Sequence, residues 1–138
     1  MIRLAATLAL LTGLWNCVGD EPGDESVAGH GAAGVTWALS ELDGAPFAAR
    51  ATLGFPEAGR IAGQGPCNRY SGEQTVPYPW FATENITSTR RACPDLAAEQ
   101  AFFAALAAMT LSEVAGDVLI LRDDTGREMV FRATGMPQ

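Results

Sequence analysis

The chain has 138 residues, 48% of them hydrophobic, which is enough for one ordinary core and not for two. Sixteen acids stand against nine basic residues, all of them arginine, for a formal net charge of -7. That balance argues against a nucleic-acid partner, because such surfaces carry clustered positive charge that releases counterions.

Residues 1–16 read as an export signal. Arg3 supplies a positive start and residues 4–15 form an apolar run, too short for the roughly 20 residues of a lasting transmembrane helix and suited to a signal core. The run ends at Leu14-Trp15-Asn16-Cys17. Leu14 and Cys17 fit the pattern of a bacterial lipoprotein, in which the new N-terminal cysteine is lipidated; Trp15 and Asn16 do not. An ordinary cleaved secretory signal is the alternative. Residues 17–34 follow, with five glycines and the acids Asp20, Glu21, Asp24 and Glu25. This composition predicts a flexible acidic linker, since it offers little apolar surface to offset the entropy of ordering. His30, the single histidine, falls inside it and is expected to be solvated.

From Val35 the pattern becomes that of a folded domain, running to residue 133 with a short tail at 134–138. Strands are predicted at 35–42, 51–55 and 60–64, the last two joined by a Pro56-Glu57-Ala58-Gly59 turn. A glycine-bounded turn, Gly65-Pro66-Cys67-Asn68-Arg69-Tyr70-Ser71-Gly72, leads into a strand at 73–76. Pro77-Tyr78-Pro79 forces a change of direction, and a return strand is predicted at 80–86. Residues 94–109 carry the signals of a helix: proline in the first turn, Asp95 at the positive end of the dipole, and Leu96, Phe102, Phe103, Leu106 and Met109 on one stripe. Glu99 lies within that stripe, where an unpaired carboxylate is costly. Strands return at 111–114, 118–121 and 127–132, the last two joined by an Asp123-Asp124-Thr125-Gly126 turn. The count is about eight short strands and one amphipathic helix.

Much chemistry lacks its residues. Histidine-dependent nucleophilic catalysis needs a histidine placed by the fold, and the one present lies in the predicted linker. There is no Cys-x-x-Cys, no pair of histidines and no acidic loop with calcium-ligand spacing. No metal, no cofactor and no catalytic residue is therefore expected. Asp123 and Asp124 are adjacent on a hairpin, so they point apart and read as a solvated turn, not an acid/base dyad.

The turn at 65–72, followed by Ser88-Thr89-Arg90-Arg91-Ala92-Cys93-Pro94 and a short amphipathic helix, resembles the META domain family, small envelope domains of the HslJ heat-shock type. Pro66 and Arg91 stand where the family pattern has a glycine and an apolar residue. The resemblance covers residues 35–133 and implies a mainly β (α+β) fold: a compact antiparallel barrel or roll, lipocalin-like in outline, closed by one helix. Asn68, Tyr70, Ser71, Gly72, Thr89, Arg90 and Glu99 match the family motif by position. Their expected role is structural, with Asn68 and Ser71 bonding the turn backbone and Arg90 or Arg69 neutralising Glu99. In an exported protein Cys67 and Cys93, one from each half of the motif, are expected to form a disulfide, which leaves Cys17 for lipid; a reactive thiol is the alternative. Closing that loop stabilises the fold by about 3.5 kcal/mol on a chain-entropy estimate. The implied function is that of a non-enzymatic envelope lipoprotein, monomeric and lipid-anchored, that binds an envelope protein or small ligand and contributes to stress tolerance. Inhibition of an extracellular lytic enzyme and carriage of a small apolar ligand are the alternatives.

Overall fold

The computed structural model describes residues 23–134. The signal segment, Cys17, residues 17–22 of the linker and residues 135–138 of the tail lie outside the described residues. The elements in chain order are β1 (Thr36–Leu42), β2 (Ala45–Pro46), β3 (Thr52–Gly54), β4 (Arg60–Gln64), β5 (Arg69–Glu73), β6 (Glu84–Ser88), α1 (Leu96–Ala108), β7 (Leu111–Ala115), β8 (Val118–Arg122) and β9 (Glu128–Thr134). All pairings are antiparallel, and the sheet runs in the order β6-β5-β4-β3-β1-β9-β8-β7, with β2 paired to β1 off that path.

The mainly β fold with one helix is thus present, in the form of a roll. Its two ends meet without a continuous ladder. An isolated bridge joins Trp80 to Leu111, and Phe81 N–H donates to the Thr110 carbonyl at 2.8 Å while Ser112 N–H donates to the Pro79 carbonyl at 2.7 Å. Pro77 and Pro79 have no N–H to extend this contact into a full ladder. The return strand predicted at 80–86 is displaced to Glu84–Ser88 as β6, and Trp80, which makes the isolated bridge, is left 58% exposed.

The core is closely filled. Trp37, Leu53, Ile61, Phe102, Leu119, Leu121, Met129 and Phe131 are fully buried, drawn from alternating positions of the strands and one stripe of α1, as their periods require. Leu96 departs from the predicted stripe: it stands in the first turn of α1 at the rim of an open groove and is 40% exposed.

Two expectations are corrected. The strand predicted at 73–76 lies earlier, from Arg69 to Glu73, so the second half of the glycine-bounded turn is strand β5, paired with β4 from Gln64↔Arg69 to Arg60↔Glu73, and residues 74–76 lie beyond its end. Tyr70 and Gly72 alternate inward along it. Gly72 has no room for a side chain: a Cβ there would stand 2.8 Å from Ile86 Cδ1 and 3.1 Å from the Glu84 carbonyl oxygen.

The linker reading of 17–34 is corrected over its described part. Ser26, Val27, Ala28 and Ala32 are buried, and Ala28–His30 forms a 3-10 turn. The Trp37 indole N–H donates to the Ala32 carbonyl at 3.0 Å, and Tyr78 N–H donates to the Glu25 carbonyl at 2.7 Å. His30 is not simply solvated: its ring stacks on Tyr78 with centroids 4.5 Å apart, and its Nδ1 lies 2.9 Å from the Ser26 carbonyl oxygen. Small apolar side chains suffice here because they cover an indole whose N–H needs a partner, so the folded unit starts by Ser26.

Candidate functional site

The residues of the two cysteine segments converge on one place. A disulfide joins Cys67 to Cys93 across a sequence separation of 26, with Cα atoms 5.7 Å apart. The hairpin from β4 to β5 closes through Gly65 N–H donating to the Asn68 carbonyl at 2.7 Å. Gly65 is required by close approach, since a Cβ there would stand 2.9 Å from Glu99 Oε2 and 3.1 Å from the Asn68 carbonyl oxygen.

Glu99, on α1 and buried, projects into this hairpin. Its Oε2 accepts the backbone N–H groups of Cys67 and Asn68, each at 2.7 Å, and its Oε1 accepts the Asn68 side-chain amide at 2.6 Å. The expected ion pair with Arg90 or Arg69 is absent. Three amide donors satisfy the carboxylate instead, so no guanidinium has to be desolvated beside it.

Asn68 is the hub. Beyond Glu99, its amide donates to the Arg91 carbonyl at 3.0 Å, and its Oδ1 accepts the Thr89 hydroxyl at 3.0 Å and the Arg91 N–H at 2.6 Å. Two donors and two acceptors are all that the side chain offers, and all four are used. Its side chain therefore does not bond the backbone of its own turn, the role expected from sequence; it ties the hairpin to residues 89–91 and to α1. Tyr70 donates its hydroxyl to the Thr52 carbonyl at 2.6 Å and meets Phe102 and Phe103 edge-on at 5.6 and 5.3 Å. Burial pushes its phenol far above the usual range.

Of the motif residues, the network unites Cys67, Asn68, Thr89, Cys93 and Glu99, while Tyr70 and Gly72 pack beside it. Ser71 and Arg90 take no part. Ser71 lies with Arg69 and Thr87 in an open groove of about 380 Å³ along β5 and β6. Arg90 lines a second groove of about 350 Å³, together with Arg91 and with Leu96, Gln100 and Phe103 of α1. Ser88 and Thr89 border both. Sequence reasoning missed the groove residues of the helix because Leu96 and Phe103 read as core, and it missed Arg91, whose part is played by its backbone. The repeated arginine in Thr89-Arg90-Arg91 was the available signal.

Elsewhere, Asp123 behaves as the turn residue expected: its Oδ1 accepts the N–H groups of Thr125 at 2.9 Å and Arg127 at 2.8 Å. Among the described residues no three His, Cys, Asp or Glu side chains gather to hold a metal ion. No helix among them is long and apolar enough to cross a membrane.

The META domain family model matches residues 31–135, so the match begins inside the segment first read as linker. Among solved structures, a protein from Burkholderia xenovorans is similar, with a TM-score of 0.65 and 22% identity over 80% of this chain and 88% of that one. A DUF4847 family protein from Bacteroides vulgatus is similar at a TM-score of 0.66 and 14% identity, over 81% of this chain and 100% of that one. At these identities the likeness is one of fold. No curated protein matches closely enough to count as a relative. The match over three quarters of the chain, on the roll and cysteine network described above, places the protein: it belongs to the META domain family.

Proposed function

We propose that this protein is an exported envelope lipoprotein, lipidated at Cys17, whose META domain works by binding an envelope component and not by catalysis, in the service of stress tolerance. The observation that carries the binding part is the state of the motif. Its buried polar groups are spent on each other: the Glu99 carboxylate accepts three amide N–H bonds, all four positions of the Asn68 amide are filled, and both cysteines are joined. Groups so committed serve as scaffold. What they leave facing solvent is the kind of surface that binds, namely arginines, hydroxyls and the rims of two open grooves.

The export part is supported by the apolar run at 4–15 and the cysteine at its end. Because the folded unit starts by Ser26, residues 18–25 are all that would separate it from a lipidated Cys17, and fully extended they span no more than about 30 Å. The domain would thus work close to the membrane surface, held by acyl chains. Replacing Cys17→Ala and fractionating cells tests this. The wild-type chain should sediment with membranes and the variant should move to the soluble or uncleaved pool with its domain still folded. A wild-type protein found soluble, with a mature N-terminus beyond Cys17, overturns the anchor.

A further inference from the structure

We propose that the outer edge of β6, with Arg69, Arg90 and Arg91 at its end, docks an extended acidic segment of a partner protein as an added strand. The proposal rests on the reading that the domain works by binding, and it is independent of lipid attachment.

Backbone geometry supplies the first half of the argument. β6 ends the sheet path, with β5 as its one strand neighbour. Thr89 N–H donates to the Arg69 carbonyl at 3.0 Å, which makes 69 and 89 a hydrogen-bonded pair. The adjacent pair Tyr70↔Ser88 is then the non-bonded type, so the N–H and C=O of Ser88 point away from β5. Ser88 is exposed and borders the groove that α1 closes on its far side with Leu96, Gln100 and Phe103. An unpaired edge beside a partly apolar groove is the arrangement by which extended peptides are captured: main-chain bonds supply affinity and side-chain pockets supply choice.

Charge supplies the second half. Arg60, Arg122 and Arg127 are each paired with an acid at 3.6 Å or less. Among the described residues Arg50, Arg69, Arg90, Arg91 and Arg132 have no such partner, although the protein carries an excess of acids; what sets Arg69, Arg90 and Arg91 apart is that all three stand exposed at one end of β6. The adjacent carboxylate, Glu99, is turned inward onto amides. Asn68 grips the backbone of Arg91 from both sides, so these cations are carried on a fixed frame. At the other end of β6, Glu84 is exposed. The edge therefore carries opposite charge at its two ends, and because the register with β5 shifts between Thr87 and Glu84, a bound segment pairs at the Thr87–Ser88 end, where its acids meet the arginines.

Fluorescence anisotropy with the full chain in mild detergent tests this, using as probe a fluorescein-labelled octapeptide of alternating valine and glutamate. Saturable binding is expected, with no binding of the counterpart carrying lysine in place of glutamate. Replacing all three arginines by glutamine should weaken binding at least tenfold, as should Ser88→Pro, which removes an outward N–H and leaves the ladder to β5 intact. Should that variant fold poorly, an acidic probe N-methylated at alternate amides makes the same cut from the other side, and tenfold weaker binding is again expected. Failure of the acidic probe to bind overturns the proposal. So does binding that the arginine changes leave unaltered. Binding lost with the arginines but indifferent to Ser88→Pro and to N-methylation, and competed by inorganic phosphate, shows a simple anion site and overturns strand addition. None of these failures alters the membrane fractionation of the Cys17→Ala variant.

Discussion

At the β7–β8–β9 end of the roll, Arg122 lies between Glu113 at 3.2 Å and Glu128 at 2.9 Å, across three neighbouring strands, and Arg127 meets Asp43 at 3.1 Å. At the cysteine motif the pattern is reversed. The acid, Glu99, is buried and takes its hydrogen bonds from neutral amides, and the nearby arginines stand apart in solvent. The difference follows from desolvation. An exposed pair loses little water and gains little, whereas a buried carboxylate must replace its whole hydration shell. Backbone N–H groups already fixed by a hairpin do this at lower entropic cost than a long arginine side chain. Charge at the β7–β8–β9 end is surface chemistry; charge at the motif is part of the scaffold.

The sharpest way to break this comparison is Glu99→Ala. It strands two backbone N–H groups and half of the Asn68 amide in a buried site, and should cost about 3–5 kcal/mol in denaturant unfolding. A loss near the surface-site range of about 0.5 kcal/mol would place Glu99 in the same class as the exposed pairs. Next in size is the disulfide. Replacing Cys67 and Cys93 together by serine should lower stability by about 3.5 kcal/mol, read from the shift of the urea midpoint. If the network holds the hairpin by itself, the loss will be far smaller.

A third change probes the N-terminal cap. Val27→Ala removes a fully buried side chain and should cost about 2 kcal/mol by the loss of apolar contact and the space left behind. A tether would show no change in a thermal melt. The smallest effect is expected at Asp43. The Arg127 side chain bonded to it holds its carboxyl below the ordinary value of 3.8, outweighing a slight opposing desolvation. A carboxyl depressed in the folded state stabilises above its unfolded value and loses that contribution as pH falls through the lower native one. Arg127→Ala should therefore reduce stability by about 0.5 kcal/mol or less near neutrality, with the difference screened by salt and vanishing below the native pKa. A larger or salt-insensitive effect would mean that this pair is structural after all.

The sequence by itself determined the elements whose signals are local. Alternation placed β1 and β9, and turn signals with short apolar runs placed β3, β4, β7 and β8; proline, an early acid and a 3.6-residue stripe placed α1; and the paired cysteine segments pointed to the disulfide and the family. Each rests on periodicity or on residue types with one dominant use. Tertiary structure decided the rest. Glu99 was recognisable as an inward carboxylate, but its donors come from residues 67 and 68, some thirty positions earlier, and a backbone N–H has no signature in a sequence. Residues 26–32 looked like tether because glycine and alanine carry little apolar surface, and only the Trp37 indole that they cover, with its N–H in need of an acceptor, made them worth ordering. The roll closes by a single bridge at Trp80 and Leu111, not by a ladder, because two prolines meet the opposite edge where N–H groups were needed, and which edge they would meet was not written in either segment.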